Sequence, residues 1–248
     1  MLDHTVLTVF FVASITAIAT GIGALPFLFV RHVGPAWMSV ANAAAAGLML
    51  AACYGLIAEG IALDPVRLLT GILLGLGGIL IGERLVNSRD HVEIASLNGL
   101  DARKAVLIVG VMTVHSFAEG VGVGVSFGGS GELASFISTA IAVHNIPEGL
   151  AISLVLVPRG TPIWQAALWS IFSSLPQPLM AVPAYLFVEG FAPFLPVGLG
   201  LAAGAMFWMV FAEIVPEANR DASPSSVAIT VTLSFTAMLA FQYLLLKG

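Results

Sequence analysis

Two neighbouring apolar stretches decide the fold: KAVLIVGVMTVHSFAEGVGVGVSF at residues 104–127 and LASFISTAIAVHNIPEGLAISLVLV at residues 133–157. Each is long enough to cross a bilayer, because a transmembrane α-helix needs about 20 predominantly apolar residues. A transmembrane β-strand needs only about 10 residues, so barrel strands do not fit these stretches. Each stretch therefore predicts a membrane-spanning helix, and each carries one histidine and one glutamate in its interior.

The composition of the whole chain is typical of a protein embedded in lipid. Of its 248 residues, 58% are hydrophobic and 9% are charged, and the mean hydropathy is +1.01. Soluble domains are typically about 45–50% apolar and about 25% charged, so this composition excludes a soluble enzyme, a disordered chain and a secreted disulfide scaffold. The net charge of −5 argues against a nucleic-acid partner. The lipid bilayer is therefore the first predicted partner.

Eight apolar segments can be read along the chain, and they predict an all-α polytopic membrane protein with eight transmembrane helices. Short connections that contain glycine and proline separate most of the segments, and a sizeable polar loop occupies residues 87–103. We expect residues 1–248 to form a single transmembrane domain. The predicted helices lie near residues 5–30, 36–58, 66–86, 104–127, 133–157, 162–188, 193–215 and 226–246.

The basic residues predict the orientation of this domain, because cytoplasmic connections carry an excess of lysine and arginine. If the N-terminus lies outside, the connections on the outer side hold Arg67 and Lys247. Those on the inner side then hold Arg31, Arg84, Arg89, Arg103, Lys104, Arg159 and Arg220. This distribution favours both termini outside and the loop at 87–103 in the cytoplasm.

The two central segments carry the same motif, HSFAEG at residues 115–120 and HNIPEG at residues 144–149. Neighbouring membrane helices joined by a short loop run antiparallel, so the motif occurs twice in opposite directions. An inverted repeat of this kind is common in secondary transporters, where it points to a binding site near the middle of the membrane.

The motif places ionisable groups where they are costly, since a charged side chain at the centre of a membrane helix is unfavourable by about 2.5–3.5 kcal/mol on insertion scales. The i, i+4 spacing places His115 and Glu119 on one helix face. His144 and Glu148 share a face of the next helix in the same way. If the two faces meet, they form a ligand set suited to zinc and neighbouring divalent ions. The other interpretation is a pair of buried histidine–glutamate hydrogen bonds that tie the helices together.

Pro147 lies inside the fifth segment, next to Glu148. Proline lacks an N–H group and its ring crowds the carbonyl group four residues earlier, so we expect a break or kink in this helix. A carbonyl group freed there could add a metal ligand. Gly120 and Gly149 end the two motifs and are suited to close approach between helices.

Together, HNIPEG at 144–149, HSFAEG at 115–120 and FAEIVPEA at 211–218 resemble the ZIP (Zrt/Irt-like) divalent-metal transporters, in particular the bacterial branch with HNxPEG motifs. The resemblance extends over nearly the whole chain. It implies eight helices with both termini outside, a transport site on the fourth and fifth helices, and a homodimer. Position by position, it implies that the metal ligands are His115, Glu119, His144 and Glu148.

The same resemblance implies a second metal position, where this chain departs from the family pattern. Ser116 and Asn145 follow the two histidines, where relatives often carry asparagine or another donor. In the sixth segment, Gln177 lies where many relatives have a glutamate, and it brings no negative charge. We therefore expect an intact main site and a weakened second site at Ser116, Asn145 and Gln177.

Three further carboxylates, Glu59, Glu213 and Glu217, are candidates for a pathway through the membrane. They lie towards the ends of the second and seventh segments, and Glu213 and Glu217 share a helix face at i, i+4. Ordinary carboxylates at the membrane interface are the alternative interpretation.

These observations predict a membrane transporter that moves divalent transition-metal ions into the cytoplasm. Zn2+ is the leading substrate, with Fe2+, Mn2+, Cd2+ and Co2+ as alternatives, and no cofactor or enzyme activity is expected. The expected location is the cell (inner) membrane, with an organelle membrane as the alternative. A metal-gated cation channel and an intramembrane zinc hydrolase are the competing functions. A hydrolase needs an open zinc position and a separate general base, whereas all four groups here are candidate ligands.

Overall fold

The computed structural model describes residues 4–29, 34–88, 93–94, 97–128 and 131–247. Most of these residues are helical, and a short antiparallel ladder joins β1 (Glu93–Ile94) to β2 (Leu97–Asn98). A π-helical turn covers Val210–Ile214. The helices are α1 (His4–Ile22), α2 (Pro26–Phe29), α3 (Pro35–Leu63), α4 (Pro65–Asn87), α5 (Gly99–Phe127), α6 (Gly131–Leu156), α7 (Ile163–Ser173), α8 (Pro176–Leu186), α9 (Val188–Phe191), α10 (Leu195–Met209), α11 (Val215–Ala218) and α12 (Pro224–Lys247). The predicted all-α polytopic fold is confirmed.

Seven helical segments of the described chain are long and apolar enough to cross a membrane. They correspond to all the predicted segments except the sixth, at 162–188. There the structure has two helices, α7 and α8, so the prediction of one continuous helix is wrong. Pro176 and Pro178 cannot donate backbone hydrogen bonds, and the backbone tightens into a turn at Ser174 and Leu175. The total of eight spans stays a prediction.

Smaller differences from the predicted segments occur at helix ends. The first segment turns at residues 23–25 before α2 begins at Pro26. The seventh consists of α10, the π-helical turn and α11, and Pro216 withholds one backbone donor in this region. α5 begins at Gly99, so the last part of the predicted loop at 87–103 is helical.

The helices pack in two groups. α1, α5, α6, α7 and α8 contact one another, whereas α3, α4, α10 and α12 form the second group. The groups meet where α5 packs on α10 and α4, and where α6 packs on α3 and α12. Within the membrane-spanning parts of α4 and α12, only 22% and 11% of the residues are buried. These two helices are therefore available to lipid or to another protein.

Ion pairs mark one end of the bundle. Lys104 near the start of α5 and Arg159 just after the end of α6 both lie close to Glu217. α5 and α6 therefore run antiparallel, as the short connection between them predicts. Arg67 lies at the opposite end, where its guanidinium group donates a hydrogen bond to the carbonyl oxygen of Pro193.

The distribution of basic residues between these two ends is the basis of the orientation prediction. Arg31 and Arg89, which contribute to the predicted inner side, lie outside the described residues. The assignment of both termini to the outer face of the membrane stays a prediction.

Candidate metal centre

Two consecutive helices bring four ionisable side chains together near their middles. α5 supplies His115 and Glu119, and α6 supplies His144 and Glu148. The Nε2 atom of His115 lies 2.8 Å from Oε1 of Glu148 and 3.4 Å from Oε1 of Glu119. The Nε2 atom of His144 lies 3.2 Å from the same Glu148 oxygen. One ligand atom from each residue lies within 4.8 Å of the other three, and we call these four residues the His/Glu cluster.

The His/Glu cluster is closed off from its surroundings. The relative exposure is 1% for His115 and 3% for Glu119, and it is 8% for His144 and 0% for Glu148. The two imidazole rings stack with their centroids 5.4 Å apart and an interplanar angle of 23°. The two helix faces identified from the i, i+4 spacing therefore meet.

Several nitrogen and oxygen atoms of the cluster have no hydrogen-bond partner. The short nitrogen–oxygen distances lack hydrogen-bond geometry, so Nε2 of both histidines, Oε1 of Glu119 and both oxygens of Glu148 are buried and unsatisfied. Burying unpaired polar and charged groups is costly. Two simple histidine–glutamate hydrogen bonds do not account for this arrangement. A divalent cation would satisfy these atoms together and neutralise both carboxylates.

The spacing of the ligand atoms fits a four-coordinate transition-metal ion. Zinc binds histidine nitrogen at about 2.0–2.1 Å and carboxylate oxygen at about 2.0–2.2 Å, so neighbouring ligand atoms of a tetrahedral site are about 3.3–3.6 Å apart. The three nitrogen–oxygen distances of 2.8, 3.2 and 3.4 Å are close to that range. The four ligand atoms all lie within 4.8 Å of one another, so side-chain adjustment would draw the wider pairs closer around a zinc ion.

The three residues of the predicted second site lie beside the cluster and are completely buried. Gln177 in α8 donates a hydrogen bond from Nε2 to Oε2 of Glu119 over 2.5 Å. Its Oε1 accepts a hydrogen bond from Nδ2 of Asn145 over 3.1 Å. Oγ of Ser116 and Oδ1 of Asn145 have no hydrogen-bond partner. Gln177 is thus engaged by protein groups, and a second metal position stays a prediction.

α1 contributes a hydroxyl group that sequence reasoning missed. Thr16 donates a hydrogen bond from Oγ1 to Oε1 of Gln177 over 2.7 Å. Its carbonyl oxygen accepts one from Nδ2 of Asn145, also over 2.7 Å. One turn further along α1, the hydroxyl oxygen of Thr20 lies 2.7 Å from that of Ser174. The signal in the sequence was a pair of threonines four residues apart in an apolar segment, which does not reveal partners so remote along the chain.

The motif's proline and glycines contribute to helix packing. α6 is one helix that continues through Pro147, so the predicted break is absent, whereas a kink there stays a prediction. The adjacent turn packs directly on α1, since a Cβ atom at Gly149 would overlap the carbonyl oxygen of Thr20. Gly120 allows an equivalent close contact between α5 and α8.

Two of the three candidate pathway carboxylates belong to an ion-pair network. The Nζ atom of Lys104 lies 3.3 Å from Oε2 of Glu213 and 3.0 Å from Oε2 of Glu217. Arg159 approaches Oε1 of Glu217 to 3.5 Å. Glu59 on α3 is half-buried, and it belongs neither to this network nor to the His/Glu cluster. These contacts do not show whether the three carboxylates line a pathway, so the pathway stays a prediction.

Comparison with known proteins matches this chain to zinc transporters. The sequence profile of the family described as ZIP Zinc transporter matches residues 84–242. A putative zinc transporter of Arabidopsis thaliana is 48% identical over 231 residues, which cover 92% of this chain and 37% of that protein. Zinc transporter ZIPB of Bordetella bronchiseptica is 33% identical over 241 residues, which cover 89% of this chain and 76% of that protein. Zinc transporter ZIP11 of Homo sapiens is 32% identical over 163 residues, which cover 60% of this chain and 46% of that protein.

The chain thus spans most of the Bordetella relative and less than half of the Arabidopsis and human ones. These relatives come from plants, bacteria and animals, so placement in a bacterial branch stays a prediction. The matched profile covers more than half of the chain and includes both motifs of the His/Glu cluster. The chain belongs to the ZIP zinc transporter family.

Proposed function

We propose that this protein carries divalent transition-metal ions across a membrane through the His/Glu cluster, with zinc as its principal substrate. The observation that supports this most directly is the buried set of unpaired ligand atoms contributed by both copies of the motif. The names of the relatives support zinc as the substrate. Fe2+, Mn2+, Cd2+ and Co2+ are further candidates, because imidazole and carboxylate ligands accept several such ions.

The charge of the cluster suits a doubly charged ion. Glu119 and Glu148 together match the charge of one dication, so the loaded site would be formally neutral in its low-dielectric surroundings. The ligand forms are neutral imidazole and ionised carboxylate, so protons compete with the metal ion for the same atoms. Binding would therefore be tight near neutral pH and weaker in acid.

The division into two helix groups supports a carrier that exposes the site to each side of the membrane in turn. The cluster lies entirely on α5 and α6, whose group would move past the group containing α3 and α10. Lys104 and Arg159 are attached to the first group, whereas Glu217 is attached to the second. Their ion pairs would have to break during this movement, so they favour the conformation described here.

The remaining features of the proposal concern the assembly and its location. Residues 1–248 would act as one transmembrane domain, and the basic residues favour import into the cytoplasm. We place the protein in the cell (inner) membrane, with an organelle membrane as the alternative, and we propose a homodimer. Large apolar side chains such as Leu73 on α4 and Leu233 on α12 remain exposed, which supports contact with lipid or with a second copy.

The competing functions have less support from the site. A zinc hydrolase requires an open ligand position and a general base outside the ligand set. The cluster, as found among the described residues, consists of four groups that are all suited to be ligands. A metal-gated channel would use the same carboxylates, and it differs from a carrier in that its flux does not saturate at low metal concentration.

Uptake of zinc into liposomes that contain the purified protein tests the proposal. His144→Ala and Glu148→Ala each remove one ligand of the cluster. Glu189→Ala removes an exposed carboxylate on α9 and is the matched control for loss of charge. We expect saturable uptake by the native and control proteins and none by the two cluster variants. Equal uptake by all four proteins would contradict the proposal.

The same experiment separates the competing functions. Flux that does not saturate, yet disappears in both cluster variants, would favour the channel. Zinc-dependent cleavage of a lipid or peptide without zinc entry would favour the hydrolase. Competition with cadmium, manganese, iron or cobalt would then rank the substrates.

A further inference from the structure

Gln177 has a distinctive position next to the His/Glu cluster. It lies in the first turn of α8, immediately after the interruption that separates α7 from α8. Its side chain is completely buried and forms hydrogen bonds with α1, α5 and α6. Both ends of the amide group are therefore engaged by residues around the cluster.

The chemistry of these partners fixes the orientation of the Gln177 amide. An ionised carboxylate only accepts hydrogen bonds, so the amide NH2 group must face Glu119, where the distance is 2.5 Å. The amide oxygen then faces Nδ2 of Asn145 at 3.1 Å and Oγ1 of Thr16 at 2.7 Å. The single hydroxyl proton of Thr16 is shared between this oxygen and the carbonyl oxygen of Ala13, which lies 2.8 Å away. The amide oxygen of Gln177 is therefore directed at protein groups and away from the His/Glu cluster.

We infer that Gln177 is a positioning residue for Glu119, and that it limits the His/Glu cluster to one metal ion per chain. Its amide holds Oε2 of Glu119 and leaves Oε1, which lies 3.4 Å from Nε2 of His115, as the oxygen that binds the ion. Groups that hydrogen-bond to metal ligands orient them and tune their affinity. The inference rests on the proposed function and adds a stoichiometry to it.

A second ion beside the cluster would disrupt hydrogen bonds that are now satisfied. Oγ of Ser116 and Oδ1 of Asn145 are unpartnered beside the cluster, but neither atom carries a charge. A second dication would therefore also draw on Oε2 of Glu119 or Oε1 of Gln177, and both of these atoms accept hydrogen bonds. Taking Oε1 of Gln177 would break its 3.1 Å hydrogen bond from Nδ2 of Asn145. Gln177 also brings no negative charge to offset another dication. The amide therefore opposes the second metal position that the family resemblance implies.

The two glutamates of the repeat are consequently not equivalent. An amide holds Glu119 through one oxygen, whereas both oxygens of Glu148 lack a hydrogen-bond partner. Glu148 therefore has both oxygens available to an ion, whereas Glu119 has one.

Four variants of the full chain, purified in detergent, test the inference with Co2+ and Zn2+ as probes. Gln177→Leu removes the amide, and Gln177→Glu replaces it with a carboxylate. Thr16→Val is a milder change, because it removes one donor to Gln177 and leaves all four ligands in place. Thr20→Val is its matched control, since Thr20 lies one turn along α1 and its hydroxyl group contacts Ser174 instead.

We expect the native protein to bind one Co2+ per chain in calorimetric titration. Gln177→Leu should bind about 10–100-fold more weakly and show a changed Co2+ visible spectrum, because Glu119 is no longer held. Thr16→Val should change in the same direction by a smaller factor, whereas Thr20→Val should match the native protein. Gln177→Glu should bind a second Co2+. In zinc uptake, Gln177→Leu should raise KM by a larger factor than it lowers the maximal rate.

Several results would overturn the inference. Two ions per chain in the native protein would do so, as would a single ion in Gln177→Glu. Native Co2+ affinity and an unchanged Co2+ spectrum in Thr16→Val would also overturn the inference. If Gln177→Leu does not fold, the comparison of Thr16→Val with the native protein and with Thr20→Val provides the test. The proposed function fails in a different way, namely if His144→Ala and Glu148→Ala retain zinc uptake.

Discussion

Replacing Gly149 with alanine should push α6 away from α1 and disturb the His/Glu cluster. A Cβ atom at Gly149 would overlap the backbone carbonyl group of Thr20. Because the obstacle is backbone and not the end of a flexible side chain, one of the two helices must move. Glu148 is the preceding residue, so this movement would displace one carboxylate of the His/Glu cluster.

Gly77 provides the matched control for this substitution. It lies inside α4, and a Cβ atom there would have no heavy atom within 4 Å. Alanine is favoured over glycine in a helix by about 0.5–1 kcal/mol, so Gly77→Ala should preserve or raise stability. Gly149→Ala gains the same backbone contribution, but overpacking costs about 1–3 kcal/mol. We therefore expect a difference of about 2–12 °C in Tm between the two variants.

Thermal unfolding in detergent, with and without zinc, measures this difference. Gly149→Ala should unfold at a lower temperature than Gly77→Ala and should gain less from added zinc, because the displaced Glu148 binds the ion less well. Zinc uptake in liposomes should fall in Gly149→Ala alone. Equal Tm values and equal uptake for the two variants would refute the close backbone contact between α1 and α6.

Two further predictions concern ionisable groups. In Lys104→Gln, the carboxylates of Glu213 and Glu217 lose the cation they share, so hydrogen–deuterium exchange at residues 210–220 should become faster. Arg84→Gln should not change that exchange, and equal protection in both variants would argue against an ion-pair contact between the helix groups. Zinc affinity should fall as the solution is made more acidic, because the ligand forms are neutral imidazole and ionised carboxylate and protons compete with the metal ion for them. A zinc affinity that does not change with pH would contradict histidine and carboxylate ligands.

The sequence was sufficient for most of the helices and for the residues of the His/Glu cluster, because both depend on local spacing. The length of an apolar segment predicts a membrane span. Two residues at i and i+4 lie on one helix face, and this does not depend on the rest of the fold. His115 with Glu119, and His144 with Glu148, could therefore be paired before any contact was known. Their convergence followed from the antiparallel course of α5 and α6, which a short connection between neighbouring helices imposes.

The features that sequence reasoning missed depend on contacts between remote parts of the chain. Thr16 meets Gln177 across 161 positions, and no local pattern selects that partner. The break between α7 and α8 had a local cause in Pro176 and Pro178, but hydropathy alone gives one uninterrupted segment there. At Pro147 the local signal predicts a break, yet the helix continues through the proline, and the next turn packs closely on α1.

X-ray absorption at the zinc K-edge tests the central claim most directly, because it reports the atoms bound to the ion. For the zinc-loaded native protein, we predict four nitrogen or oxygen neighbours at about 2.0–2.2 Å, with the outer scattering of two imidazole rings. His144→Ala should retain the scattering of one ring. A sulfur neighbour at about 2.3 Å, or the absence of imidazole scattering, would contradict the claim that the His/Glu cluster holds the ion.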